Sequence, residues 1–335
     1  DTTGWSSFDG HIARMRVYGG NFTPAMAAAS HGEFADTFPS NDDAYSGEVL
    51  ADGPVLYYRL DGQHGELYTA NRGSLGLTGT GTPNATDMQG GGSLLDNHAN
   101  ASYSFDGGSN RHVDILDNEQ INTSDVSDRT VELWFNAPDV PDSWNDKHVL
   151  FEEGGQGSGI NLFLGGGLLH AGLWEDQNGD WLTAPVRDNQ TYHVVLRYDG
   201  DAGASEGSLT GYINGQVFGT AMVTDELNAH IGDVALGAYQ NDTRYSDDLA
   251  ATGDGDFYDG TIDEFALYND ALTETRVEEH FATGGGDTLP IIVHDLLLDY
   301  RAEDASADAL PNVVGTYGSG GDESQSRLDW DLTGT

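Results

Sequence analysis

The chain of 335 residues sets 56 acidic side chains against 13 basic ones, a formal charge of −43, and contains no cysteine. A surface of that sign repels phosphate backbones and anionic lipid, which argues against nucleic acid and membrane partners, while the missing cysteine excludes disulfides, thiolate metal sites and a cysteine nucleophile. With 37% hydrophobic and 10% aromatic residues the chain is expected to fold around a core, and no apolar run approaches the roughly 18 residues of a membrane-spanning helix.

In chain order, residues 1–38 read as a terminal strand followed by a short alanine-rich helix, and 39–53, with Pro39, Asn41, Asp42, Asp43 and Gly47, as a linker. A complete unit is expected over 54–286. It starts with a strand at 55–60, passes through a glycine- and asparagine-rich loop region at 61–100, and then turns into short strands at hairpin spacing. These are expected at 102–105, 112–116, 130–136, 148–152, 160–164, 168–174, 192–198, 209–213, 216–219, 234–238 and 261–268. Asn214-Gly215, Asp199-Gly200, Asn178-Gly179 and Gly165-Gly166-Gly167 supply turns, because those residues tolerate positive φ. Thr273 begins a short acidic helix that Gly284 closes. Many short strands with little helix predict an all-β, antiparallel two-sheet sandwich, with Val131, Leu133, Phe135, Val149, Phe151, Leu162, Leu164, Val194 and Leu196 facing its core.

Two segments repeat at long range. Phe8–Tyr18 aligns without a gap on residues 250 positions further on, up to Tyr268, and Leu297–Glu303 repeats the pattern of Val55–Asp61, 242 positions earlier. That period is too long for a solenoid and suits a tandem array of whole domains. The chain is therefore expected to hold the end of one unit at 1–38, a complete unit, and the start of another at 287–335.

Four motifs in order, Thr130-Val131-Glu132-Leu133-Trp134-Phe135, Thr191-Tyr192-His193-Val194-Val195-Leu196-Arg197-Tyr198-Asp199-Gly200, Gly211-Tyr212-Ile213-Asn214-Gly215 and Gly260-Thr261-Ile262-Asp263-Glu264-Phe265-Ala266-Leu267-Tyr268, resemble the laminin G-like, concanavalin A-like (pentraxin-like) jelly-roll domain. The resemblance implies a jelly roll at 54–286. It says little of function, since the fold hosts lectins, adhesion modules, enzymes and structural repeats.

By the same resemblance, the aspartate of the Ile-Asp-Glu strand is a calcium ligand, which carries over to Asp263. Asp259 is expected to add oxygens, as are Asp254 and Asp256, and Asp106 with Gly107, in a loop that the fold can bring close, is the other candidate for the structural calcium site. In the amino-terminal copy the matching position is Ala13. The stretch 176–180 alternates oxygen donors but lacks the glycine of a calcium loop, so it reads as a hairpin turn. A carbohydrate platform needs exposed aromatic rings with polar neighbours, and Trp144, Trp174, Trp181 and Tyr239, with Asn241 and Asp242, are the candidates.

Catalysis finds no support: Glu152-Glu153 and Asp247-Asp248 are adjacent, so on a strand each pair points to opposite faces. The expected function is a non-catalytic, extracellular or cell-surface adhesive repeat, calcium-stabilised and self-associating head to tail into filaments or a surface layer. A lectin-like module of a larger secreted protein, reading surface glycans, is the alternative, and a glycoside hydrolase the third reading.

Overall fold

The computed structural model describes residues 43–286, apart from 63–67, 86, 97, 99, 109–110, 156, 176–177, 201–206, 224–226 and 247–249. The partial copies expected at 1–38 and 287–335 lie outside the described residues.

The first strands are β1 (Leu56–Tyr58), β2 (Thr82–Pro83), β3 (Gln89–Gly92), β4 (Ala101–Asp106), β5 (Val113–Ile115) and β6 (Asp128–Asn136). A run of hairpins follows: β7 (His148–Gly154), β8 (Ser158–Gly165), β9 (Leu168–Glu175), β10 (Asn178–Pro185), β11 (Thr191–Asp199), β12 (Gly207–Ile213) and β13 (Gln216–Val223). The chain then makes β14 (Val234–Leu236), β15 (Asp242–Arg244), β16 (Ala250–Thr252) and β17 (Asp259–Tyr268). Helices α1 (Ala44–Ala51) and α2 (Glu274–Thr283) flank the set. One antiparallel sheet runs β13-β12-β11-β6-β17-β4-β3, with β1 added on β17, and the other runs β10-β9-β8-β7-β14-β5-β2.

Between the sheets lies the main core, where Val131, Leu133 and Phe135 meet Phe151, Leu162 and Leu164. Alternation explains this layer, since every second residue of a strand faces the same way. Arg129 of β6 and Glu153 of β7, both fully buried, bridge the layers at 3.0 Å. Val149, expected in this core, faces the other side of its sheet with Phe163, Tyr239 and Tyr245. The cause is a register shift between Val149 and Phe151, which resets the alternation by one residue.

The stretch 39–53, expected as a linker, contributes a helix from Asp43 onward. Asp43 accepts from the Ser46 amide and Ser46 Oγ accepts from the Asp43 amide, a closed capping box that starts α1. Together, α1 and α2 roof the outer face of the eight-stranded sheet. Beneath them lies Trp134, buried but outside the inter-sheet core, stacked on Phe281 at 5.8 Å and tilted against His193 at 4.9 Å.

Glu132 is the centre of that roofed layer. Its carboxylate accepts from Tyr45 Oη at 2.9 Å, His193 Nε2 at 2.8 Å, His280 Nδ1 at 3.0 Å and Tyr268 Oη at 3.0 Å. Burial alone would raise its pKa, but the His280 charge and the two imidazole hydrogen bonds hold it well below the usual carboxylate range.

Candidate functional site

The outer face of the seven-stranded sheet gathers the aromatic residues that the sequence singled out. Register fixes a row across it: Ala235 of β14 opposite Glu152 of β7, Glu152 opposite Asn161 of β8, Asn161 opposite Gly172 of β9, and Gly172 opposite Trp181 of β10. Gly172 has no side chain, so the Trp181 ring lies across it; a Cβ there would fall well inside 3.0 Å of the indole. Trp181 Nε1 donates to Asn161 Oδ1 at 3.1 Å, which fixes the ring's orientation.

Trp174 tiles the neighbouring row in the same way, over Gly154 and Gly159. Its indole lies 6.3 Å from that of Trp181, within 10° of parallel. The two rings differ in access, however. Trp174 is 0% exposed, with Nε1 donating to the Gly155 carbonyl, so it offers no platform, whereas Trp181 is half-buried and Thr183, two residues along β10, is exposed. Trp144, 42% exposed, meets the edge of His170 at 4.9 Å. Since Thr183 and His170 are register partners, the open strip runs along β10 from Trp181 past Thr183 towards Trp144.

The rest of this face is roofed by a strap between β14 and β17. Tyr239 and Gly255 bridge at its base, and β15 and β16 pair only with each other. From the strap Arg244 O and Thr243 Oγ1 accept from Asn161 Nδ2 at 2.7 and 3.4 Å, Ser246 Oγ lies 3.1 Å from His170 Nδ1, and the Tyr245 ring packs edge-on against Phe163. Tyr245 is anchored in turn: its hydroxyl donates to Asp256, and Lys147 Nζ, on the sole lysine of the sequence, sits 4.7 Å over its ring. Tyr239, expected in the platform, is 6% exposed beneath this anchor. Asn241 is exposed at a left-handed turn with φ 62° and donates its side-chain amide to Asp233.

Glu152 and Glu153 face opposite sides, as their adjacency requires. Glu153 turns inward to Arg129, while Glu152 lies under the strap, fully buried, with no hydrogen-bond partner of good geometry for either oxygen. Burial first, then the charges of Glu153, Asp233 and Asp242, push the Glu152 carboxyl well above the carboxylate range; the Thr243 hydroxyl only partly offsets them.

The residues expected to bind calcium fall in three places, of which Asp254, accepting from the Asn241 amide, and Asp256, accepting from the Tyr245 hydroxyl, belong to the strap. Asp106 and Asp259 are register partners on β4 and β17, but Asp106 accepts from the Gly108 amide at 3.0 Å and pairs with Arg111 Nε at 2.8 Å, and the Gly107 amide donates to Tyr258 O. Asp263, also on β17, lies buried on the roofed face of the eight-stranded sheet, accepting from the Leu94 amide at 3.0 Å. Amide and guanidinium donors occupy lone pairs that a cation would need, and among the described residues no three acids or histidines converge to hold a metal ion. The set does not fit a calcium ion.

A strand from Asn178 to Pro185, unread in the sequence, carries the open strip. It pairs with β9 from Asn178 opposite Glu175, so the chain reverses where the hairpin was expected.

The family model Laminin_G_3, described as the concanavalin A-like lectin/glucanases superfamily, matches residues 106–278. The chain belongs to this superfamily. Among solved structures, this concanavalin A-like chain is similar to the receptor binding domain of botulinum neurotoxin D (12% identity, 70% of this chain and 53% of that one, TM-score 0.51). It is similar also to the botulinum neurotoxin serotype D ligand binding domain in complex with N-acetylneuraminic acid (12% identity, 70% and 52%, TM-score 0.51). At this identity the likeness bears on the fold, and the chain spans about half the length of the structures it matches. No curated protein matches.

Proposed function

We propose that this concanavalin A-like domain is a non-catalytic recognition module of an extracellular adhesive protein, and that it binds a neutral saccharide along the β10 strip. The observation that carries the reading is Trp181, half-buried, laid flat on Gly172 with its N–H fixed by Asn161. A pyranose stacks its C–H face on such a ring and needs hydroxyl partners at the rim, here Thr183. The ring is held before ligand arrives, so little side-chain ordering opposes binding.

Glu152 and Glu153 do not supply this strip with a hydrolytic acid pair. A glycosidase flanks the scissile bond with two carboxyls roughly 5–9.5 Å apart, whereas Glu152 is sealed under the strap and Glu153 faces the core. The similar toxin domain was solved with N-acetylneuraminic acid, an anionic sugar. At a net charge of −43 this chain favours an uncharged one.

Binding to an array of paired neutral and sialylated glycans, at high and low salt, tests the reading. Neutral glycans are expected to bind, with Trp181→Ala lowering affinity at least about tenfold and Glu278→Gln on α2 leaving it unchanged. Selective capture of sialylated glycans, or binding indifferent to Trp181, overturns it. The adhesive array rests on the two long-range repeats; light scattering of the full chain over a range of concentrations would show polymers if the units join head to tail.

A further inference from the structure

The strap covers groups that the main sheets leave ready for a ligand. Under it, Asn161 and Glu152 are 0% exposed and His170 is 1% exposed, next to Phe163 on the same face. The strap meets them with a hydroxyl and a carbonyl on Asn161, a hydroxyl on His170 and a ring edge on Phe163. Hydroxyls, an acceptor oxygen and a ring with apolar faces are the groups of a polyhydroxylated sugar ring. Glu152 is the member that the strap satisfies least, reached only by the Thr243 hydroxyl and not in good hydrogen-bond geometry. Both of its oxygens lack a hydrogen-bond partner of good geometry, a costly state for a buried carboxyl and one that donor hydroxyls would relieve.

The strap is also the separable part of this face. Because β15 and β16 form a two-stranded sheet of their own, lifting them breaks side-chain bonds to Asn161 and His170 and the packing of Tyr245 on Phe163, but no ladder of the seven-stranded sheet. Segments attached in this way open at a lower free energy than the strands beneath them.

We propose that the strap is an internal stand-in for a saccharide, and that Glu152, Asn161 and His170 form a second subsite, continuous with the Trp181 strip, which a neutral ring with adjacent hydroxyls fills when the strap lifts. Asn161 joins the two subsites: its Oδ1 holds Trp181 and its Nδ2 holds the strap. A ligand on the strip that also takes the strap's hydrogen bonds gains an acceptor in Glu152 to which the strap makes no hydrogen bond of good geometry. Apparent affinity is then the intrinsic affinity reduced by the fraction of molecules with the strap open. The inference rests on the outer face being the saccharide-binding side.

The test uses cellohexaose, maltohexaose and mannohexaose with the full chain, read by calorimetry and by hydrogen exchange. The bound sugar is expected to speed amide exchange in 239–246 at least about tenfold while β8 and β9 stay protected. The double variant Thr243→Ala/Ser246→Ala, which removes two strap hydroxyls, is expected to bind about three- to tenfold more tightly. Adding Glu152→Gln to it should reverse that gain. Binding that depends on Trp181, with strap exchange unchanged and affinity unaltered in the double variant, overturns the second subsite and leaves the proposed function standing. Failure of all three sugars to bind either chain overturns both. If the double variant does not fold, the exchange measurement on the unsubstituted chain decides alone.

Discussion

Trp181 and Gly172 face each other across the β9–β10 pair, and the indole occupies the space that any side chain at 172 would need. Gly172→Ala is therefore expected to push Trp181 off the sheet, breaking its bond to Asn161. Overpacking of this kind costs roughly 1–3 kcal/mol. Urea denaturation should show that loss together with a red-shifted tryptophan emission, and saccharide affinity should fall by as much as in Trp181→Ala.

Glu132 holds the helical roof on the eight-stranded sheet through Tyr45 of α1 and His280 of α2. Burial lowers the His280 pKa, but Glu132 and then Asp52 outweigh it and leave the imidazole above its ordinary 6.5. Its share of stability is complete below about pH 6.5 and fades as pH rises through the folded pKa; the share from Glu132 is complete above about 4.5 and fades on acidification. Glu132→Gln leaves the buried imidazoles without their anion and is expected to cost about 3–5 kcal/mol and to flatten both limbs of a Tm-against-pH curve.

Asp263 and Glu264 make the opposite prediction. Burial first, then the Glu264 charge, raises Asp263 well above its ordinary value, and burial raises Glu264 to about 7 despite Arg59 and Tyr57, with Asp43 adding negative charge nearby. Carboxyls that keep their protons longer when folded subtract stability as pH rises from the ordinary carboxylate range through about 7. Asp263→Asn should raise stability at about pH 8 by on the order of 1 kcal/mol and leave it little changed near pH 4. Thermal melts across that range would show the difference, and a uniform loss would contradict it.

Between the sheets, Arg129→Met strands Glu153 without its partner and is expected to cost about 3–5 kcal/mol, whereas Arg129→Met/Glu153→Met removes both charges and should recover most of that. A double-mutant cycle by chemical denaturation measures the coupling.

Much of the fold was legible because strand periodicity is a local property. Leu133 and Phe135 declared one side of β6, and Thr273 and Gly284 marked both ends of α2. At Glu264 the broken alternation was itself a signal. The residue takes φ 51° at a shift in register with β6, a bulge that lets Asp263 and Glu264 both face the roofed side while Phe265 returns to the core. The capping pattern around Asp43 was equally present in the sequence, but among turn-forming neighbours it read as linker. Gly172 and Gly179, which make room for Trp181, were visible only as glycines, because the register that sets them against the indole is a property of paired strands.

The sequence by itself determined the two-sheet architecture, the opposed directions of Glu152 and Glu153, and the acidic surface that disfavours anionic partners, since each follows from composition or from a two-residue period. Tertiary structure decided what covers each outward-facing side chain. Trp134, Trp174 and Trp181 all stand at alternating positions on strands, yet one lies under two helices, one is sealed and one is half-buried. Alternation assigns a side chain to a face of its sheet; only the packing of segments distant in sequence, the α1–α2 roof on one sheet and the strap on the other, settles whether that face meets water, protein or ligand.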